Sequence, residues 1–121
     1  MEAQGERSAH RDIAPNQGPL TGLRVIELAD EKAEYCALVL AGLGAEVIKV
    51  EPPGGSPTRR IGPFYEDREG PERSLFFWQY NRGKRSIVLD LRQTEDQDQF
   101  RSLVATADVL LESTPKGELD A

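Results

Sequence analysis

Cysteine, histidine and long apolar runs are nearly absent from this chain of 121 residues. Cys36 is the single cysteine, which excludes an intrachain disulfide and a cysteine-based zinc site. His10 is the single histidine and lies in the polar N-terminal stretch, which excludes a His–Asp catalytic pair in the folded part. No apolar run approaches the roughly 18 residues of a membrane span, and no apolar signal-peptide core is seen. We therefore expect no membrane partner and a reducing, cytoplasmic setting.

The charge balance is acidic, with a net charge of −6 from 21 acidic and 15 basic residues. This argues against nucleic acid or an anionic membrane surface as the main partner, but not against a small anion held by local arginines. Hydrophobic residues make up 38% and charged residues 30%, as in ordinary globular proteins. Residues 1–17 are almost devoid of apolar side chains and predict a flexible polar leader before one domain over residues 18–121.

A strand–helix–strand pattern opens the folded part. Residues 24–28 and 46–50 are short β-branched runs that are typical of strands. Between them, apolar residues at helical spacing predict a helix over residues 31–43. Asp30 is suited to cap its N-terminus, and Gly44 its C-terminus. The short joints indicate a right-handed crossover between parallel strands.

The rest of the chain predicts a second run of alternating elements. Residues 52–73 are rich in proline and glycine and predict a long irregular loop. An aromatic helix over residues 74–80 and a strand over residues 86–91 follow, and then a helix over 95–107 and a strand over 108–112. This alternation indicates an α/β fold with a Rossmann-like, mostly parallel sheet in a doubly wound arrangement.

Single residues within these elements carry further predictions. Thr94 is typical of a helix cap, with Gln97 reaching back towards it. Cys36 lies on the apolar face of the first helix, which predicts a small core residue. Glu51 ends the second strand, but the glycines that accompany a ribose-binding acid are missing. We therefore expect Glu51 to pair with a neighbour such as Arg59.

Four sequence blocks, in this order, resemble one enzyme family. They are residues 18–28 (GPLTGLRVIEL), 43–60 (LGAEVIKVEPPGGSPTRR), 81–91 (NRGKRSIVLDL) and 107–112 (ADVLLE). The blocks are similar to the N-terminal part of the family III CoA-transferases of the CaiB/BaiF type, a superfamily that includes formyl-CoA transferases and α-methylacyl-CoA racemases. The resemblance covers about residues 18–120. It implies transfer of CoA from an acyl-CoA donor to a carboxylic acid, with the CoA thioester as substrate and no covalently bound cofactor.

The same resemblance implies that the catalytic residue lies elsewhere. The family's nucleophilic aspartate forms mixed anhydrides with the acyl group and lies beyond the point that matches Ala121. We therefore expect an incomplete N-terminal portion of a larger CoA-transferase fold, inactive by itself and part of an interlocked homodimer in the complete enzyme. We predict no catalytic residue and no metal ligand within the chain. A racemase of the same fold and a non-catalytic binding or interaction module stay open as alternatives.

Two departures from the family pattern concern the ligand. Many members carry Ala-Gly-Pro near the start of the first helix, where this chain has residues 30–36 (DEKAEYC). This difference leaves the acyl donor and acceptor open. After the fourth strand the family often has Glu-Asn-Phe, where this chain has residues 112–114 (EST). An aromatic side chain that would pack near the adenine is therefore absent.

The resemblance also implies a binding site for CoA. The residues that border its adenosine end are Leu89, Asp90, Leu91, Arg92, Ser113, Thr114 and Pro115. Most of them follow predicted strands, and ligands of open α/β sheets bind outside the carboxyl ends of the strands. Arg92 is the strongest single candidate, with an ordinary surface arginine as the alternative. Lys32 and Ala33 match a position at the thiol end, and a solvated first-turn lysine is the alternative for Lys32.

Basic residues near glycines are candidate phosphate contacts, because CoA carries a pyrophosphate and a 3′-phosphate. Arg59 and Arg60 follow the proline- and glycine-rich loop, and pairing with acids that order the loop is the alternative for both. Arg82, Lys84 and Arg85 lie on a turn that contains a glycine. A solvated basic turn is the alternative for these three.

Overall fold

The computed structural model describes residues 18–119, so the predicted leader, residues 1–17, lies outside the described part. The elements are β1 (Arg24–Leu28), α1 (Glu34–Gly42), β2 (Glu46–Glu51), two 3₁₀ turns (Pro57–Arg60 and Tyr65–Asp67), α2 (Leu75–Asn81), β3 (Arg85–Val88), α3 (Thr94–Ala105) and β4 (Val109–Glu112). The strands are parallel and lie in the order β3-β2-β1-β4. The predicted α/β class with a parallel sheet is confirmed. No helix among residues 18–119 is both long and apolar enough to cross a membrane.

Alternation along the strands creates two apolar layers, one on each face of the sheet. The layer under α1 consists of Val25, Ala37, Ala41, Ala45 and Val47. The layer under α3 consists of Ile26, Ile48, Val50 and Leu89. The central strands β1 and β2 are therefore covered on both faces, as is typical of parallel sheets. The edge strand β3 is exposed along its length.

Helix α1 begins later than the sequence predicts, and a different side of it is buried. It begins at Glu34, because the carbonyl of Asp30 accepts the backbone N–H groups of Ala33 and Glu34 and closes a turn first. Cys36 is exposed, so the prediction of a core residue is wrong. The buried positions of the helix are Glu34, Ala37 and Ala41. The helix turns this face inwards because Glu34 reaches buried cations beneath it.

The C-terminus of α1 is closed as predicted, with Gly44 just beyond the last helical turn. Its φ of +105° is in the left-handed region that favours glycine. The N–H of Gly44 donates to the carbonyl of Ala41 at 3.1 Å, and the N–H of Ala45 donates to that of Leu40 at 3.0 Å. This pair of bonds is the Schellman arrangement, and it turns the chain directly into β2.

The predicted cap of α3 is wrong in its details. Thr94 is the first helical residue, and Gln93 occupies the cap position without a capping side-chain bond. The side-chain amide of Gln97 donates to the carbonyl of Leu91 at 2.8 Å and does not reach back to Thr94. The amide of Gln97 therefore fastens the start of α3 to the segment that follows β3.

Four charged side chains are buried together between the sheet and α1. Lys49 Nζ lies 3.2 Å from Glu27 Oε1 and 3.0 Å from Glu34 Oε2. Lys84 Nζ lies 2.9 Å from Glu27 Oε2. These side chains are at most 2% exposed. We call this group of two acids and two lysines the buried ionic cluster.

Candidate functional site

The carboxyl ends of the four strands surround a cavity of about 820 Å³. In a parallel sheet these ends lie along one edge, and a ligand site forms where the chain reverses the order of its strands. Here the chain runs from β1 through β2 to β3 on one side and then returns to place β4 on the other side of β1. The cavity lies across this switch point between β1 and β4.

Asp30 and Ser113 link the two strands at the switch point. Ser113 Oγ donates to Asp30 Oδ1 at 2.9 Å, and Ser113 Oγ in turn accepts the backbone N–H of Asp30 at 3.0 Å. Burial raises the pKa of Asp30, but hydrogen bonds from Lys32 and Ser113 outweigh it and lower that pKa to about 2. Asp30 is therefore an ionised, hydrogen-bonded group in the wall of the cavity.

Much of the remaining wall is apolar and rigid. The apolar lining residues at the strand ends are Leu28, Val50, Leu89 and Leu91. Four prolines add flat surface with a fixed φ: Pro52, Pro53, Pro57 and Pro115. Walls of this kind suit the face of a planar, weakly polar ring more than a compact ion.

Glu51 lines the cavity and is neutralised by Arg59, as the sequence predicts. Arg59 Nε lies 2.6 Å from Glu51 Oε1, and Arg59 Nη2 lies 2.8 Å from Oε2. The backbone N–H of Ser56 and the hydroxyl of Ser86 also donate to this carboxylate. Burial raises the pKa of Glu51, but these hydrogen bonds outweigh it and lower that pKa to about 2.

The lowered pKa of Glu51 makes the stability of the fold depend on pH. Because folding lowers the pKa of Glu51, its contribution is full above its ordinary value of 4.5 and is lost as the pH falls towards about 2. We expect the unchanged chain to have a larger free energy of unfolding in urea than the Glu51→Gln variant. This difference should shrink as the pH falls through this range. A difference that stays constant with pH would contradict this assignment.

Arg92 provides a cation at the rim of the cavity. Its Nε lies 2.9 Å from Asp90 Oδ1, and its Nη2 lies 3.1 Å from Oδ2. The side chain of Arg92 is 83% exposed, whereas that of Asp90 is 18% exposed. The hydrogen bonds from Arg92 lower the pKa of Asp90. The guanidinium is thus held by one carboxylate and is open to solvent on its other sides.

The structure gathers half of the predicted site residues, seven of fourteen, around one cavity. All seven residues predicted at the adenosine end of CoA line the cavity: Leu89, Asp90, Leu91, Arg92, Ser113, Thr114 and Pro115. Lys32 and Ala33 do not line it. The ammonium of Lys32 instead lies 2.5 Å from Oδ2 of Asp30, which is a lining residue.

The candidate phosphate contacts all lie outside the cavity lining. Lys84 needs the clearest correction, because its ammonium is buried and donates to Glu27, to Asn81 and to a backbone carbonyl. Arg85 is the first residue of β3 and pairs with Glu46, the first residue of β2, at 3.3 Å. Both therefore lie at the amino ends of the strands, away from the cavity. The remaining members of the turn and the loop, Arg60 and Arg82, are exposed.

Some lining residues were not predicted as part of a site, above all Asp30 and Gln97. Asp30 follows β1 by two positions, and this position just beyond a strand end is a signal that could have pointed to a site. It was predicted only as a helix cap, and that prediction is wrong because α1 starts later. Gln97 carries no comparable signal, since only the packing of α3 brings it to the cavity.

Comparison with known proteins gives a consistent result. The model of the family described as CoA-transferase family III matches residues 20–121. Succinyl-CoA:(R)-benzylsuccinate CoA-transferase subunit from Thauera aromatica is 43% identical over 97 residues, which are 80% of this chain and 24% of that protein. Succinate–glutarate CoA-transferase from Agrobacterium fabrum is 47% identical over 106 residues, which are 84% of this chain and 26% of that protein.

A solved structure agrees with these relatives. The crystal structure of a CaiB/BaiF family protein from Brucella suis superposes with a TM-score of 0.77 at 45% identity. The match covers 85% of this chain and 28% of that one. The chain thus spans about a quarter of the length of the proteins that it resembles. Because the family model matches most of the chain, residues 20–121, the chain belongs to the CoA-transferase family III.

Proposed function

We propose that the cavity binds the adenosine end of coenzyme A, and that the complete protein transfers CoA between an acyl-CoA thioester and a carboxylic acid. The observation that carries the proposal is the convergence of two segments, residues 89–92 and 113–115, on one cavity at the switch point of the sheet. These segments are 20 or more positions apart in the chain. Only the parallel sheet brings them together.

The chemistry of the cavity suits an uncharged ring with phosphates at its rim. Prolines and leucines offer flat apolar surface to an adenine. Asp30, Glu51 and Asp90 each pair with a basic residue, so these three acids repel an anion less than free carboxylates would. Arg92 is exposed at the rim, where a phosphate oxygen can compete with Asp90 for its N–H donors.

The transfer chemistry is proposed for a residue outside this chain. An aspartate carboxylate attacks the thioester carbonyl, the CoA thiolate leaves, and an acyl–aspartyl anhydride remains. The acceptor carboxylate then attacks the aspartyl carbonyl carbon of the anhydride, the donor acid leaves as its carboxylate, and an anhydride between the acceptor and the aspartate remains. The CoA thiolate attacks the acceptor acyl carbon of this anhydride, which forms the new thioester and releases the aspartate carboxylate. The relatives named above are CoA-transferases, which favours this reaction over a racemase.

We further propose that the complete protein is a cytoplasmic homodimer. Large apolar side chains are exposed on the edge strand β3, at Ile87 and Val88, and near the end of α1, at Val39 and at Leu43, which directly follows the helix. An exposed edge strand with apolar side chains also presents unpaired backbone groups, with which another chain can pair. The single cysteine fits a reducing compartment.

The 121-residue chain should bind CoA without catalysing its transfer. Isothermal titration with CoA should give saturable binding, and pantetheine, which lacks the adenosine and the phosphates, should compete poorly. Incubation with several acyl-CoA donors and carboxylic acids should give no exchange above buffer. Saturable binding that pantetheine matches would contradict the adenosine site, and turnover that survives further purification would contradict the external nucleophile.

A further inference from the structure

One wall of the cavity at the strand ends is made by the loop that follows β2. Four residues of this loop line the cavity: Pro52, Pro53, Ser56 and Pro57. We call these four residues the loop wall. Strand β2 ends at Glu51, and only a 3₁₀ turn begins at Pro57. The regular hydrogen bonds of the sheet therefore do not fix the position of the loop wall.

The Glu51 carboxylate fastens the loop wall to the end of β2. The backbone N–H of Ser56 donates to Glu51 Oε1 at 2.7 Å. Arg59 donates to both oxygens of the same carboxylate, from Nε at 2.6 Å and from Nη2 at 2.8 Å. Two parallel bonds of this kind fix the plane of the carboxylate, and with it the direction in which Oε1 meets Ser56. Glu51 and Ser56 are each 2% exposed, so these bonds are shielded from water.

Arg59 is itself held by further contacts. Its guanidinium lies 3.9 Å from the ring centroid of Phe77 in α2. Its Nη1 donates to the carbonyl of Pro71 at 2.8 Å and lies 3.3 Å from Glu72 Oε1. The side chain of Arg59 is 12% exposed. This environment leaves little surface for a phosphate and favours the alternative in which the arginine orders the loop.

Gly55 provides the space in which Arg59 reaches Glu51. Its φ is +89°, and a Cβ atom at this position would lie 2.7 Å from Cδ of Arg59. The neighbouring Gly54 has almost the same φ, +86°, but a Cβ atom there would meet nothing within 4 Å among residues 18–119 apart from its chain neighbours. Backbone conformation favours glycine at both positions, but only Gly55 is also required by the contact between Arg59 and Glu51.

We propose that Arg59 is a positioning residue for CoA binding, which holds the Glu51 carboxylate and, through it, the loop wall in the place where the wall contacts the adenosine end. This inference rests on the proposed function of the cavity. Arg59 does not line the cavity, so it acts on the ligand only through Glu51 and the loop wall. A wall that is fixed in advance binds more tightly than a loose loop that the ligand must first order.

The two glycines provide the test, because Gly55→Ala and Gly54→Ala impose similar backbone strain and leave every charge in place. Neither glycine lines the cavity, so neither substitution removes a contact with the ligand. A methyl group at position 55 displaces Arg59 from Glu51, and we expect Gly55→Ala to weaken CoA binding by about five- to tenfold in titration calorimetry. Gly54→Ala is the matched control and should change the affinity by less than about twofold.

The mobility of the loop provides a readout that does not depend on the ligand. NMR relaxation of the backbone amide of Ser56, measured on the 121-residue chain without CoA, reports motion on the ps–ns timescale. Gly55→Ala should increase this motion, because the carboxylate that accepts the Ser56 N–H is no longer held in one plane. Gly54→Ala should leave it unchanged. Adenosine 3′,5′-bisphosphate, which lacks the pantetheine arm, should lose the same factor in affinity as CoA does.

A second pair of variants tests Arg59 directly. Arg59→Lys keeps the positive charge but does not donate to both carboxylate oxygens in one plane, so CoA binding should weaken by about two- to fivefold. Arg73→Lys makes the same change in the same long loop, where the arginine pairs with Glu66 and does not touch the loop wall. Its CoA affinity should stay unchanged. If Gly55→Ala does not fold, this pair decides the question.

The outcomes separate this inference from the proposed function. If the unchanged chain binds CoA and the two glycine variants bind it equally well, the positioning role is wrong and the proposed function stands. Weaker binding by Gly55→Ala without increased motion at Ser56 would also overturn the positioning role, since the loss would then have another cause. If the unchanged chain does not bind CoA, the proposed function fails and this inference fails with it.

Discussion

The substitution Lys49→Met should lower the free energy of unfolding by about 3–5 kcal/mol, because it leaves two buried carboxylates without their shared cation. The side chain of Lys49 is 1% exposed and lies within 3.2 Å of both Glu27 and Glu34. Methionine fills a similar volume without a charge, so the loss measures the charge and not a void. Urea denaturation at neutral pH gives the free energy directly.

Two further variants separate the buried charge from other causes. Arg101→Met removes a cation from an exposed pair with Asp98 and should cost less than about 1 kcal/mol. Adding Glu34→Gln to Lys49→Met leaves Glu27 paired with Lys84 and should recover part of the lost stability. If Lys49→Met behaves like Arg101→Met, the cluster does not contribute as a buried charge network.

The buried ionic cluster also explains how the long loop is held. Thr58 donates its hydroxyl to Glu34 Oε2 at 2.9 Å, and the amide of Asn81 donates to the same oxygen at 2.8 Å. The hydroxyl of Ser74 then donates to the carbonyl of Ile61 at 2.6 Å, and its oxygen lies 3.2 Å from the carbonyl of Thr58. The loop and both ends of α2 are thereby fastened to the first turn of α1.

The second large effect concerns the proposed CoA site. Arg92→Ala should weaken CoA binding by about ten- to hundredfold, the equivalent of one charge-assisted hydrogen bond of roughly 1.5–3 kcal/mol. Stability should change little, because the side chain is 83% exposed. Titration calorimetry and urea denaturation on the same preparation measure both quantities.

Asp90→Asn provides the matched control for Arg92. The Asp90 carboxylate holds the guanidinium of Arg92 in two hydrogen bonds, and a phosphate must compete with it. Its removal should therefore tighten CoA binding, whereas a purely structural role of the pair would make both variants weaken it. Unchanged affinity in Arg92→Ala would return Arg92 to an ordinary surface arginine.

Much of the cavity followed from the sequence, because its residues lie next to strand ends. Residues 89–92 and 113–115 were predicted from the family resemblance and from their position at or just after the ends of strands, and the sheet brings them together. The pairing of Glu51 with Arg59 was within reach because the two are eight positions apart. Contacts of this kind depend on local geometry, which short-range patterns describe well.

The buried charges could not be predicted in the same way. Lys84 was interpreted as part of a solvated or phosphate-binding turn, yet its ammonium contacts Glu27, 57 positions away. A charged residue in a strand or turn is usually exposed, and only a partner of opposite charge makes its burial tolerable. That partner comes from another element and leaves no mark on the local pattern.

The sequence by itself determined the α/β class and the order of the elements, because periodicity and turn residues act over a few positions. The family followed from the resemblance of four sequence blocks. The tertiary structure alone decided which face of α1 is buried, where that helix begins and which cations are free. The buried face of α1, for example, depends on Glu34 meeting Lys49, and the packing of the helix on the sheet brings these two side chains together. Contacts between separate elements decide whether a charged side chain is buried. A buried charge stabilises the fold through its partner, whereas an exposed charge is open to a ligand.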